Sequence, residues 1–464
     1  MLFHHGIFLF LFANFIIFYA LFSHRSNIQK WLLIAFSAYF YYKSSGIYFL
    51  LLFTTIISDY LFSLLIVKSS RYKNTLTAIG ILFSLSFLLY FKYAKLIVTT
   101  FGWSAEALEV DNLFLPIGIS FYTFQSISYL VDVKRNKIAI PKFHDYLLYM
   151  TFFPHLVAGP IVRAKDFLPQ LKRKLNVTNA HISEGLYLIS KGLIKKAIIA
   201  DFVGQYVDII FATPSGSSGM ESLIATLCYT LQIFCDFSGY TDMAIGIALL
   251  LGYQLCLNFD SPYQATNITE FWRRWHISLS TWLRDFIYIP LGGNRKGPAL
   301  QLLFLLITMS VGGIWHGADW KFLWWGVGHG MILILHKLIM KYAPPIHHIF
   351  WIVSGWIFTF CAVSILWIPF RAQSTADSII IIQKIFTAIH WSESWELLKQ
   401  NTLLIVLLIF GFAATLLSRV PKVKLKTWYL REPLVVKMIF MVLIILCIFQ
   451  MQSATVQPFI YFQF

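Results

Sequence analysis

The sequence predicts an all-α, polytopic membrane protein, and three observations predict it. Of the 464 residues, 58% are hydrophobic, 18% aromatic and 12% charged; a water-soluble globular domain carries about twice that charged share. Mean hydropathy is +0.69, and apolar runs recur along the whole length with short basic punctuation between them. That is the pattern of helices crossing a bilayer repeatedly, not of the alternating strands of a barrel. At roughly 20 apolar residues per span, about ten to twelve spans use up the chain and leave only short connectors. Residues 1–464 therefore read as one multi-pass integral membrane domain whose partner is the lipid bilayer.

The expected spans, in order, are Ile7–Phe22, Trp31–Tyr42, Ile47–Val67, Ala78–Phe91 and Phe114–Val131, then one or two near Tyr146–Val162 and one around Ile182–Phe211. Later ones are Leu223–Leu251, Ala299–Gly313, Trp320–Met340, Phe350–Pro369, Leu403–Leu417 and Leu434–Phe449. The first run has neither the basic leader nor the cleavage site of a removed signal peptide, so it is expected to stay as a span. Arg25 and Lys30 follow it while only His4 and His5 precede it, which places the N-terminus outside. The later loops are nearly all basic and cannot all lie on one side. Some apolar runs are therefore re-entrant or interfacial; Trp31–Tyr42 and the basic helix around Lys191, Lys195 and Lys196 are the best candidates. No internal repeat is visible, which weighs against a transporter built from inverted halves.

The balance of 37 Lys+Arg against 21 Asp+Glu, net +16, is that of basic cytoplasmic loops in a chain this apolar, and no nucleic-acid partner is expected. Cys228, Cys235, Cys256, Cys361 and Cys447 lie in or beside apolar runs without CxxC spacing or a nearby histidine pair. They read as small core residues, and no metal site is expected.

Polar residues at membrane depth are expensive and mark function by default. The densest collection lies in a catalytic region of about 231–335. Asp236 and Asp242 interrupt the first apolar run there, and the simpler reading is that each carboxylate hydrogen-bonds a neighbouring helix. Asn267 followed by Glu270 resembles a capping box, so a helix is expected to start there. On that helix Trp272, His276, Leu279 and Leu283 would share one face, and Arg273, Ile277, Ser280 and Arg284 the adjacent one. Arg273, Arg274 and Arg284 are then either interfacial anchors or a bidentate site for the phosphates of an acyl carrier. His316 sits in Trp315-His316-Gly317 and His329 in Gly328-His329-Gly330. One intramembrane histidine is usually a structural hydrogen bond; three, each flanked by Trp, Arg or Gly, favour a site. Histidine can take a proton from a hydroxyl near neutral pH. The sequence has no GxSxG elbow, Walker loop, HExxH or twin CxxC. Together these residues point to acyl transfer within the membrane.

At these residues the sequence resembles the membrane-bound O-acyltransferase family, in particular its bacterial branch of alginate and peptidoglycan O-acetyltransferases. The resemblance rests on five blocks in order: Leu115 to Gln125, Phe152 to Ile161, Asp236 to Asp242, Phe271 to Ser280, and Trp315-His316-Gly317. It implies a helical bundle around a central tunnel, with His316 catalytic in the membrane core and His276 the second histidine, facing the cytoplasmic side. It also implies a supporting position for His329 and for Asp285. The implied donor substrate is acetyl-CoA, with no bound cofactor. The implied acceptor is a polysaccharide hydroxyl or a partner periplasmic acetyltransferase, and the implied location is the bacterial cytoplasmic membrane. Such a site needs an oxyanion donor, for which Asn258 is a candidate. Alternatives are D-alanyl transfer to teichoic acid from a carrier-protein thioester, a transporter or flippase, and a structural scaffold.

Overall fold

The computed structural model describes residues 3, 6–110, 113–342, 348–451 and 460. Among the described residues every regular element is a helix, as lipid demands, because a helix satisfies its backbone N–H and C=O groups internally. Among the described residues six stretches are long and apolar enough to cross a bilayer: Ser26–Lys68, Lys73–Thr100, Gly219–Leu250, Pro298–His316, Trp320–Tyr342 and Ile349–Arg371. A bent pair, Thr402–Leu416 with Val420–Arg431 at 93°, and two shorter apolar helices, Gly6–Leu21 and Leu434–Gln450, add to these. The chain is a multi-pass membrane protein.

The shortfall from ten to twelve has local causes. The Tyr146–Val162 run folds as two short helices, Phe143–Thr151 and Phe153–Leu156, separated at Phe152 just ahead of Pro154. Ile119–Lys134 is buried on almost every face, so protein replaces lipid around it. The Trp31–Tyr42 run is not a short isolated piece. It belongs to a 20-residue helix, Ser26–Ser45, that a 3-10 turn at Gly46–Tyr48 joins to Phe49–Lys68. The basic segment runs from Asn179–Leu193 through a π turn, Ile194–Ala200, into Asp201–Ala212.

The chain divides into two compact units, Met1–Ile189 with Tyr240–Cys256, and Ser190–Gly239 with Leu257–Phe464. In the first, Asp59 is fully buried and its carboxylate accepts from Ser126 Oγ at 2.8 Å, Ser84 Oγ at 3.2 Å and Tyr146 Oη at 2.9 Å. Three hydroxyl donors from three segments fix helices that apolar packing alone would leave free to slide. Gly118 starts Ile119–Lys134 at φ +79°, where a Cβ would stand 2.7 Å from the Leu156 carbonyl oxygen, so only glycine fits. His155, inside one of the five blocks, is fully buried in this unit, with its Nε2 2.9 Å from the Tyr149 carbonyl oxygen.

In the second unit Tyr263 ties three segments: its hydroxyl donates to the Thr230 carbonyl at 2.6 Å and its carbonyl accepts from Trp356 Nε1 at 2.8 Å. Gln264 Nε2 donates to the Thr415 and Leu417 carbonyls. Arg371 closes an ion pair with Asp208. The segment 257–267 is thereby held as a fixed strap ahead of the helix that leads to His276.

Candidate functional site

Asn267 caps Ile268–Arg274 as the sequence predicts, its side chain accepting from Glu270 N at 2.9 Å. Glu270 reaches back to Thr266 N and Oγ1 at 2.9 and 3.0 Å, one residue beyond the reciprocal capping-box contact. The helix does not continue through His276. It ends at Arg274, His276 takes left-handed φ 42°, ψ 55°, and a new helix, Ile277–Leu283, follows. The shared face of Trp272, His276, Leu279 and Leu283 is therefore not formed. A non-glycine residue in this conformation is strained and persists only where its surroundings over-determine it.

Those surroundings are Asn258 and Ser278. His276 is fully buried, and its Nδ1 lies 3.0 Å from Asn258 Oδ1. The same oxygen accepts from Ser278 N at 3.2 Å and Ser278 Oγ at 2.8 Å, while Ile277 N donates to the Asn258 backbone carbonyl at 2.9 Å. Because a backbone N–H can only donate, the atom facing Nδ1 is an acceptor, and Nδ1 carries the proton. Nε2 is left as an acceptor lone pair and Asn258 Nδ2 as a donor, both buried and without a hydrogen-bond partner. Burial pushes the His276 pKa down to about 3, so this imidazole is neutral at pH 7. Phe237 meets it edge-on at 4.7 Å and Trp315 at 6.2 Å.

His316 ends the Pro298–His316 helix and His329 lies within Trp320–Tyr342. Their helices cross where Gly313 faces Gly326. A Cβ on Gly313 would stand 2.3 Å from the Phe322 carbonyl oxygen, and one on Gly326 2.5 Å from that of Met309. The crossing puts both imidazoles into one aromatic cluster. His316 is 5.0 Å from Trp325, 5.0 Å from Trp315 and 5.2 Å from Phe370. His329, fully buried with neither ring nitrogen hydrogen-bonded, is 4.7 Å from Trp325, 5.0 Å from Trp272 and 6.2 Å from Trp367. Trp315 touches both His276 and His316, so all three histidines belong to one apolar enclosure. Buried polar atoms without partners are rare and call for an explanation; a substrate that supplies the missing groups is one.

The other sequence candidates separate. Arg274 is engaged by Glu270 at 2.6 Å and by the Asp260 carbonyl at 3.3 Å. Arg284 pairs with its neighbour Asp285 at 2.7 Å, the Arg284 side chain 59% exposed, and Arg273 is exposed. These three guanidinium groups do not form a row beside His276, because the break at His276 ends the helical register that would align them. Asp236 forms a buried ion pair with Lys196 at 2.5 Å, and Lys196 also holds Asp201 at 2.8 Å. Lys196, expected near the interface, is thus a core residue of its unit. Only Cys228 and Cys235 of the five cysteines are buried; Cys256, Cys361 and Cys447 are exposed. Sequence reasoning missed Ser278, Trp367 and Phe370. A lone serine after a histidine and two aromatics near the end of the Ile349–Arg371 helix carry no distinctive signal.

The chain is thus a multi-pass membrane protein that encloses three imidazoles in an aromatic cluster. Residues 38–376 match the membrane-bound O-acyltransferase family. The chain is 36% identical to a probable alginate O-acetylase of Pseudomonas aeruginosa over 414 residues, 86% of this chain and 77% of that protein. It is 36% identical to a peptidoglycan O-acetyltransferase of Helicobacter pylori over 411 residues, 81% of this chain and 78% of that protein. A teichoic acid D-alanyltransferase of Streptococcus thermophilus is 28% identical over 244 residues, 48% of this chain and 57% of that protein. The chain belongs to the membrane-bound O-acyltransferase family and is an integral membrane acyltransferase.

Proposed function

We propose that this protein transfers an acetyl group from acetyl-CoA, on the cytoplasmic side of a bacterial cytoplasmic membrane, to a hydroxyl presented from the other side. The acceptor is a cell-envelope polysaccharide of the alginate or peptidoglycan kind, or a periplasmic transferase that carries the group onward. The observation that supports this most is the enclosure of His316, His276 and His329 by Trp315, Trp325, Trp272 and Phe370. Among the histidines, His316 is the base. It takes the acceptor hydroxyl proton as the oxygen attacks the thioester carbonyl. The C–S bond then breaks, and the thiolate leaving group regains that proton from the imidazolium, giving an O-acetyl ester and free CoA thiol. Neutral His276 accepts a hydrogen bond at Nε2 from the donor, and Asn258 Nδ2 donates to the developing oxyanion. The aromatic enclosure keeps water from intercepting the thioester.

The test is His316→Ala in purified protein, followed by release of free thiol from acetyl-CoA in the presence of acceptor. A fall of about 10²- to 10⁴-fold with an unchanged thermal midpoint is expected for removal of a general base. Wild-type turnover in the folded variant refutes the assignment.

A further inference from the structure

Two adjoining cavities lie within the first unit, and none of the three histidines of the site lines either of them. One, of about 410 Å³, is polar: its walls include Arg173, Lys174, His181, Asp166, Gln170 and Gln254. The other, of about 790 Å³, is mostly apolar, with Ile16, Tyr19, Ala20, Val177, Ile182 and Leu250 among its walls. Lys174, Leu175 and Asn176 line both, so the two spaces meet along this short strap. Each is of the size that holds a small molecule.

The polar cavity is assembled from separate segments. Gln170, on the helix Ala164–Leu171, donates to the Gln254 carbonyl at 3.0 Å and accepts from Gln254 N at 2.9 Å. At the start of Asn179–Leu193, Thr178 N donates to His181 Nδ1 at 3.3 Å and His181 N donates to Thr178 Oγ1 at 3.4 Å, which holds the ring. A backbone N–H can only donate, so Nδ1 is an acceptor and Nε2 carries the His181 proton. Among the described residues no ion pair reaches Arg173 or Lys174, both of which are exposed. The lining thus sets two cations and the His181 donor against one carboxylate, Asp166. A single phosphodiester charge matches that balance, and Asp166 disfavours a second one.

The apolar cavity follows Ile16, Tyr19 and Ala20 of Gly6–Leu21, an apolar helix. Its two buried polar residues spend hydrogen bonds on the protein: Tyr19 Oη donates to the Leu251 carbonyl at 3.1 Å, and Gln29 Nε2 to the Tyr19 carbonyl at 3.2 Å. A soluble phosphate would leave this apolar space to water, and a bare acyl chain would leave the cations unmatched. A cationic space joined to an apolar one fits an amphiphile.

We propose that the two cavities bind one membrane phospholipid of net charge −1, of the phosphatidylglycerol type. Its phosphodiester lies among Arg173, Lys174 and His181 Nε2, its headgroup hydroxyls face Asn176 and Gln254, and one acyl chain fills the cavity along Tyr19 and Leu250. This lipid site is separate from the acyl-transfer reading and does not depend on it.

The experiment counts phosphatidylglycerol bound to full-length protein in neutral detergent by native mass spectrometry across a titration. Phosphatidylcholine and glycerol 1-phosphate serve as comparison probes, and the thermal midpoint of each variant without lipid reports its fold. Arg173→Gln, Lys174→Gln is expected to raise Kd for phosphatidylglycerol about tenfold or more. Ala20→Phe, which places a ring in the apolar cavity, should raise it likewise. Lys165→Gln, Lys172→Gln removes the same charge from exposed lysines outside both cavities and should leave Kd within about twofold of wild type. Unchanged Kd in the folded cavity variants overturns the proposal. Equal weakening by the Lys165, Lys172 control also overturns it, because general surface attraction then explains the binding. Phosphatidylcholine bound as tightly as phosphatidylglycerol refutes the charge match, and glycerol 1-phosphate bound as tightly refutes the acyl-chain cavity.

Discussion

Replacing Gly313 with alanine tests the helix crossing that carries two of the three histidines. The new Cβ would lie 2.3 Å from the Phe322 carbonyl oxygen and 3.0 Å from Gly326 Cα and N, where ordinary contact begins at 3.4 Å. Each of these neighbours is backbone, so no side chain can turn aside; the helices Pro298–His316 and Trp320–Tyr342 must part by about 1 Å. Overpacking of this kind costs about 1–3 kcal/mol. A displacement of about 1 Å between His316 and its surroundings can cost about 10²-fold in rate. The control is one residue away. A Cβ on Gly312 meets only Leu283 Cδ1, at 3.0 Å, the far end of a flexible side chain, and alanine gains up to about 1 kcal/mol of helix propensity. Gly312→Ala should therefore match or exceed wild-type stability and keep its turnover. Gly313→Ala should lower the thermal midpoint in detergent and reduce acetyl-CoA turnover by one to two orders of magnitude. If the two variants behave alike, the crossing does not position the histidines as argued.

Lys196→Met strands Asp236 and Asp201 without their cation; removing one partner of a buried pair costs about 3–5 kcal/mol, and chemical denaturation should show most of it recovered in Lys196→Met, Asp236→Asn, Asp201→Asn. Because folding depresses the His276 pKa from 6.5 to about 3, the unfolded chain binds a proton below about pH 6.5 that the folded one refuses, so this contribution is complete above pH 6.5 and is lost as pH falls. Between pH 7 and 5 wild type should lose about 2 kcal/mol more than His276→Gln; equal slopes in denaturation curves would show that His276 is not held neutral.

The amino-acid sequence by itself determined what local pattern and composition control. The apolar excess fixes an all-helical membrane chain, because lipid leaves the backbone no other partner. Asn267 and Glu270 fix a helix start because capping is settled within four residues. The crowding of His276, His316 and His329 among Trp and Gly marks the region of the site. What the sequence could not settle is decided by contacts distant along the chain. Helical periodicity carries a reader straight through His276, whereas Asn258, eighteen residues earlier, turns the backbone there and chooses which ring nitrogen holds the proton. Lys196 reads as an interfacial lysine until Asp236, forty residues on, is seen to hold it in the core. Trp367 and Phe370 are ordinary membrane aromatics in sequence and become walls around His316 and His329 only in the folded unit. The division follows from the range of the forces: hydrophobicity, capping and helix periodicity act between near neighbours in the chain. Tautomer, charge pairing and enclosure depend on groups that only folding brings within reach of one another.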